Sequence, residues 1–240
     1  MKTIVITGGS KGLGEALTYA FAKEGHNISI CSRSDEAIQL VKEKAEKLGG
    51  NILAVKADVS KADEVEMFIS LTEEKFGQID VLINNAAILG PSPMPLLLDF
   101  PMDAFQDVWR NNVLNPFLVT KRVLPGMILR NEGSVINITS EAGNTGYAGW
   151  GAYGISKFAV EGLTETWADE LAETSIRINM VDPGSMDTEM QALAVPDRDY
   201  EITKPEQILD VFFFLASETS KNITGERFVA QEFKIEKRGL

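Results

Sequence analysis

The stretch "KTIVITGGSKGLGEALTYAFAKEG", residues 2–25, is where the fold is written most plainly. A short apolar run, "KTIVIT", stops at "GGSKG", and "LGEALTYAFAKEG" then carries apolar residues at helical spacing up to Gly25. That is strand, glycine turn, helix. In the turn, Gly8, Gly12 and Gly14 stand in a G-x-x-x-G-x-G spacing. Glycine admits positive φ and lets backbone approach a diphosphate, whose charge is stabilised by free N–H groups and by the dipole of a helix N-terminus. An ordinary strand-to-helix turn can also be rich in glycine, so the remaining chain has to discriminate.

The unit repeats along the chain. "NISICS" precedes a helix through "DEAIQLVKEKAEKLGG", "NILAVKAD" precedes "KADEVEMFISLTEEKFG", and "IDVLINNAA" precedes a long helical region from about Pro101 to Arg130. "GSVINITS" is followed by the helix in "GWGAYGISKFAVEG", then come "IRINMVDPG", a final helix "PEQILDVFFFLAS" and a last strand near "ERFVA". Strands that are apolar without alternation, separated by helices, predict a parallel sheet covered on both faces. The expected fold class is α/β: a Rossmann-like doubly wound sheet of about seven strands, in a single domain over residues 1–240. In such sheets ligands lie outside the carboxyl ends of the strands. The unusual residues "TGGSKGLG", "SR", "DV", "NNAA", "TS" and "PG" all fall there.

Composition excludes several classes. With 35 acidic against 23 basic side chains the net charge is -12, which argues against nucleic acid or an anionic membrane as partner. One cysteine, Cys31, rules out internal disulfides and cysteine-rich metal sites; with no signal-like start or long apolar run, a cytoplasmic protein is expected. The lone His26, in "EGHN", reads as a solvated loop residue, so neither a histidine triad nor a metal centre is expected.

Two features carry chemistry. After the second strand, where NAD-binding folds place an acidic side chain for the ribose hydroxyls, the chain reads Ser32-Arg33. An arginine fork there pairs with a 2′-phosphate, and Lys11 in the glycine turn supplies a second cation, so NADPH is expected over NADH. Tyr153 and Lys157 stand four apart, on one face of a helix, where an ammonium lowers the pKa of a neighbouring phenol and makes a general acid/base. The same spacing also arises from packing alone.

The sequence resembles the classical short-chain dehydrogenases/reductases over nearly its whole length. The matching elements are "TGGSKGLG" for the TGxxxGxG turn, Asp58, "NNAA" for NNAG, Asn112, Ser140, "YGISK" for YxxxK, and "NMVDPG" followed by Thr188; Ser140 precedes Tyr153 by the family's thirteen residues. Two departures stand out. Ala87 replaces the last glycine of NNAG, and "ITGERFVAQEFKIEKRGL" replaces a V-D-G-G ending, which puts the usual tetramer contact of the last strand in question. The resemblance implies hydride transfer between a nicotinamide and a carbonyl or alcohol carbon, with Tyr153 as acid/base, Lys157 lowering its pKa and holding the ribose, and Ser140 bonding the substrate oxygen. It places Asn112, in preference to Asn111, at a water leading to Lys157. It assigns the cofactor to Gly8, Ser10, Lys11, Gly12, Leu13, Gly14, Ser32, Arg33, Asp58, Val59, Asn85, Ala86, Ala87, Pro183, Gly184, Met186 and Thr188, besides Tyr153 and Lys157, with Asp58 and Asn85 flanking the adenosine half.

The substrate pocket is expected beneath "EMQALAVPDRDYEITK", a mobile loop in related enzymes, with Met190, Leu193 and Val195 as apolar candidates. Tyr147 and Trp150 form an aromatic wall on the other side, or surface aromatics at a helix start. A small carbonyl or alcohol substrate fits such a lining. A 3-oxoacyl-carrier-protein reductase is the alternative; the net charge argues against an acidic carrier protein, while Lys121, Arg122 and Arg130 offer a local basic patch. An epimerase or dehydratase of the extended class needs more chain than 240 residues, and a non-catalytic dinucleotide sensor would be expected to lack one of the four catalytic residues. A homodimer or homotetramer is implied, paired through the helix from Pro101 to Arg130 and the Tyr153 helix, on which Leu163 and Trp167 are interface or core.

Overall fold

A computed structural model describes residues 1–197 and 201–234. In chain order the elements are β1 (Thr3–Thr7), α1 (Gly12–Lys23), β2 (Asn27–Ser32), α2 (Asp35–Lys47), β3 (Asn51–Lys56), α3 (Ala62–Phe76) and β4 (Val81–Asn84). There follow α4 (Met102–Trp109), a π-helical turn (Arg110–Leu114), α5 (Asn115–Arg130), β5 (Gly133–Ile138), α6 (Gly151–Glu170), β6 (Ile176–Asp182), α7 (Glu189–Ala194), α8 (Asp210–Ala216) and β7 (Arg227–Val229). The seven strands form one sheet in the order β3-β2-β1-β4-β5-β6-β7, and every pairing is parallel.

Alternation along each strand sorts the core into two layers. Ile4 and Ile6 of β1 pack with Ile28 and Ile30 of β2 against Leu17 and Phe21 of α1, Ile38 of α2 and Phe212 of α8. Val5, one residue out of phase, faces the other side with Leu82, Val135 and Ile178, under Phe68 of α3 and Val123 of α5. Since both faces are covered, the strands are apolar throughout, which explains the unalternated runs in the sequence. Order reverses between β1 and β4, and the chain leaves these neighbours in opposite directions. Their carboxyl ends therefore open a crevice where the glycine turn meets "NNAA".

Three sequence expectations are corrected here. The region from Pro101 to Arg130 is α4 and α5 joined through the π-helical turn, with Pro125 inside α5. The segment after Thr188 begins as helix α7, capped by the Thr188 hydroxyl, which accepts from Gln191 N at 3.3 Å; its residues 198–200 lie outside the described ones, as do residues 235–240 of the C-terminus. His26 is no solvated loop residue: its Nδ1 accepts the Lys2 amide at 3.0 Å, its ring meets Phe21 edge-on, and burial holds its pKa below the usual value.

Candidate active site

The glycine turn is held open by what surrounds it. Gly8 and Gly12 have φ of 69° and 57°, and a Cβ at Gly8 would come within 2.9 Å of the Ala86 Cα. One at Gly14 would collide with the Gly8 carbonyl. Thr7 Oγ1 accepts from the amides of Asn85 and Ala86, and Asn85 Nδ2 donates to the carbonyls of Thr7 and Gly8 at 2.9 and 3.1 Å. Asn85 thus braces the turn from β4, so its amide nitrogen is already engaged. No side chain caps the N-terminus of α1. A tight glycine cradle leading to uncapped amides fits a dinucleotide diphosphate.

A cleft of about 870 Å³ runs from this turn along the strand ends. Its lining includes Ser10, Lys11, Leu13, Ser32, Arg33, Asp58, Val59, Ala86, Ala87, Ser140, Tyr147, Trp150, Tyr153, Lys157, Pro183, Gly184, Met186, Thr188 and Met190. At one end, Asp58 accepts from Ser60 N and Oγ at 3.1 and 2.7 Å. Burial pushes its carboxyl up, but those bonds and the charges of Arg33 and Lys61 outweigh it and hold the pKa below the usual range. Lys11 is placed differently from expectation: its Nζ is 2.5 Å from Glu189 Oε2, in the first turn of α7, because that turn lies against the N-terminus of α1. Both groups are well exposed, so the pair is weak and exchangeable.

At the other end stand the tyrosine and lysine. Lys157 is 3% exposed; its Nζ donates to the Ile138 carbonyl at 2.8 Å and lies 5.5 Å from the centroid of the Tyr153 ring. Burial lowers its pKa to about 8, against the pull of Asp182 and Glu161. Tyr153 is pushed up to about 12 by burial; its hydrogen bond with Ser140 draws it down and Asp182 adds to the rise. The expectation that Lys157 lowers the phenol is therefore corrected for the cofactor-free chain: the buried ammonium is itself half-way to neutral at about pH 8, so desolvation dominates. Ser140 also accepts the Ala142 amide at 3.3 Å, so one hydroxyl caps the turn and meets the phenol.

Asn112 lies in the π-helical turn and outside the cleft lining, only 2% exposed. Its Nδ2 donates to Ile88 O at 2.9 Å and Ser156 Oγ at 3.0 Å, and its Oδ1 accepts from Ile88 N at 2.8 Å. Both amide donors are spent, so a water could be held only by its oxygens. Asn111 and Asn115, in contrast, line the cleft.

Above the phenol, Leu89, Ala142 and Tyr153 form an apolar cluster with Met94, Trp150, Met190 and Ala194. Met190 and Ala194, four apart on α7, face inward together. Leu193 does not: it is 49% exposed and absent from the lining, while its carbonyl accepts Ser92 Oγ at 3.0 Å. Tyr147 donates to Glu141 Oε1, giving the rim a polar edge. Sequence reasoning missed Leu89, Met94 and Glu141, and it missed Gln231, whose Nε2 donates to the carbonyls of Pro183 and Ser185 at 3.1 and 2.8 Å and braces the turn at Gly184, φ 69°. Only the apolar or polar character of those positions was visible; their place was not.

The expected basic patch is absent from this surface. Arg122 is held by Glu66 and Glu73 at 2.7 and 2.8 Å, Arg130 donates to the carbonyls of Gly126 and Ile79, and Lys121 sits over the Phe117 ring. Trp167 stacks on Phe117 and packs against the core. Among the described residues no cluster of His, Cys, Asp or Glu is arranged to hold a metal, and no helix is long and apolar enough to cross a membrane.

A parallel sheet reversing between β1 and β4, with a glycine cradle and a Ser-Tyr-Lys group at its strand ends, defines a nicotinamide-dependent oxidoreductase. The model of the short chain dehydrogenase family matches residues 2–199, and the chain belongs to that family. It is 34% identical to a 3-oxoacyl-[acyl-carrier-protein] reductase of Thermotoga maritima over 94% of each chain, and 34% identical to a 2-(R)-hydroxypropyl-CoM dehydrogenase of Xanthobacter autotrophicus over 95% of this chain and 96% of that one. A short-chain dehydrogenase of Escherichia coli CFT073, solved as a complex with NADPH, superposes with a TM-score of 0.89 at 29% identity, covering 96% of both chains.

Proposed function

We propose that this chain, acting as one domain, is an NADPH-dependent reductase of small carbonyl compounds, with Tyr153 as the general acid. The observation that carries the reading is the hydrogen bond between Tyr153 and Ser140 above a buried Lys157, in the same cleft as the glycine cradle. When bound, the reduced nicotinamide supplies the hydride. Ser140 donates to the substrate oxygen, where negative charge develops, and Tyr153 delivers its proton to that oxygen. A phenol pushed up to about 12 holds its proton at neutral pH, which suits the direction of reduction. Lys157 holds the ribose and supplies the charge that eases release of that proton, and the oxygens of Asn112 hold a water on the route to solvent. Pro183, Gly184, Met186 and Thr188 shape the nicotinamide end, and Asp58, Val59 and Ser32 the adenosine end.

The preference for NADPH rests on Arg33, exposed in the cleft opposite Asp58, with Lys11 available once its pair with Glu189 exchanges. Arg33→Ser is expected to raise the dissociation constant for NADPH about 10- to 100-fold and to leave that for NADH within about threefold, since a charge-assisted bond to phosphate is worth roughly 1.5–3 kcal/mol. Fluorescence titration of both cofactors checks this; comparable wild-type constants for the two would sink the preference.

Trp150, Met190 and Leu89 favour a compact substrate with an apolar arm, and the Tyr147–Glu141 edge favours a hydroxyl donor on the outer side. Similarity to 3-oxoacyl-carrier-protein reductases supports a second reading, in which the carbonyl arrives on a thioester. The net charge of -12 and the engaged Arg122 and Arg130 weigh against a docked acidic carrier. NADPH oxidation assayed with aldehydes, α-diketones, β-ketoesters, and an acetoacetyl group on both a small thiol and a carrier protein separates the two. Activity confined to the carrier-bound substrate would replace the first reading by the second. Pairing of two copies is supported by Met102, Trp109 and Leu114 on the α4–α5 column and Ile155 and Phe158 on α6, all exposed in the monomer. A buried, unpaired Cys31 agrees with a cytoplasmic setting.

A further inference from the structure

The last strand sends a side chain to the back of the site. Arg227 of β7 donates Nε to Glu161 Oε1 at 3.0 Å, and Nη2 to Asp182 Oδ2 at 2.9 Å and to the Ser140 carbonyl at 3.2 Å. Thr139 Oγ1 donates to the same Glu161 oxygen at 2.7 Å. One guanidinium therefore ties together β7, the ends of β5 and β6, and α6. The side chains of Arg227, Glu161 and Asp182 are 23%, 13% and 7% exposed, so water screens them little.

Glu161 follows Lys157 by four residues and Tyr153 by eight on α6, which puts the three on one helical face. Lys157 is faced by Glu161 from α6, Asp182 from β6 and the Ile138 carbonyl from β5; Tyr153 is faced by Ser140, Asp182 and Lys157, with Glu141 on the rim bound to Tyr147. Two carboxylates thus stand behind the pair, and a single arginine balances them.

We propose that Arg227 is a positioning residue of the reductase site: by pairing with Glu161 and Asp182 and holding the main chain at Ser140, it sets how readily Lys157 and Tyr153 exchange a proton. The proposal rests on the reading of those two residues as the acid/base pair. Without the arginine, two uncompensated carboxylates face Lys157 and favour its charged form, and Asp182 likewise opposes phenolate at Tyr153.

The test is a pH titration of lysine 13Cε signals in the full cofactor-free chain, with Lys157 assigned by its loss in Lys157→Arg. The wild-type signal should titrate near 8. In Arg227→Met the midpoint should rise by on the order of one pH unit. Arg227→Lys should stay nearer to wild type, and Arg227→Met with Asp182→Asn should move back down. If Arg227→Met does not fold, Arg227→Gln, which keeps hydrogen bonding without charge, takes its place with the same expected rise. Equal Lys157 midpoints in wild type and the uncharged variant overturn the proposal, as does a double variant that fails to return. Because the titration needs neither substrate nor turnover, its failure is separate from failure of the reductase reading, which the substrate panel decides.

Discussion

Tyr153→Phe should lower turnover of the best carbonyl substrate by roughly 10²- to 10⁴-fold, the range a positioned general acid contributes. The substitution removes one oxygen and no packing. The ring remains against Trp150, 5.7 Å between centroids, and Lys157 keeps its bond to Ile138 O. Ser140 keeps the Ala142 amide as donor, so the turn it caps stays formed. Nothing in the glycine cradle touches the lost hydroxyl, and the NADPH dissociation constant should stay within about threefold of wild type. Steady-state rates beside a cofactor titration check both halves. A variant that keeps most of the wild-type rate would remove Tyr153 from the chemistry and leave the Ser140 donor to explain the catalysis.

Lys157→Met should make the cofactor-free protein more stable at neutral pH while abolishing its activity. Burial carries the Lys157 ammonium from its usual 10.5 down to about 8 in the fold, with Asp182 and Glu161 only partly opposing this. Below about pH 8 the lysine is charged in both states, and the folded state bears the whole cost of burying it. Between 8 and 10.5 it is neutral in the fold and still charged in the unfolded chain, so the cost shrinks; above 10.5 it vanishes. The gain from a methionine of similar reach is thus about 2–4 kcal/mol at pH 7 and falls away toward pH 10. Urea unfolding of wild type and variant at pH 7 and 9.5 reads the difference. A gain independent of pH would mean that shape, and not charge, is at issue.

How much of this was legible in the sequence depended on how far apart the partners lie along the chain. The strand ends and the glycine turn are local patterns, and Gly8, Ser140, Tyr153 and Lys157 could be named from spacing and resemblance. The Tyr153–Lys157 pair is set by four residues of helix, and it lies in the cleft as expected. What failed to show was whatever a distant element supplies. Lys11 reads as a free cation until α7, 178 residues on, brings Glu189 to it. Arg122 and Arg130 look like a patch until α3 and the backbone claim them. Leu193 reads as a pocket residue because an apolar side chain near a lid is the natural guess, and only the helical phase of α7 turns it outward. The direction of the Tyr153 shift was misjudged for another reason. Desolvation is a property of the assembled site, and no spacing of residues reports it.

The π-helical turn between α4 and α5 bears on how this chain can change over time. One column of helix here serves two neighbours, with α4 packed on α6 and α5 packed on α3 and the sheet. The widened turn at Arg110–Leu114 sets the angle between those two faces. Loss of a single residue there would let ordinary helical winding resume and would swing every position of α5 by about 100° relative to α4. Val119, Val123 and Met127 would leave the core, and Asn112 would lose Ile88 and Ser156 together. Many substitutions along this column are compatible with the fold, but its length is fixed. Gene-level insertions and deletions should therefore be far rarer in residues 110–114 than in the loop from Pro91 to Phe100 just before them.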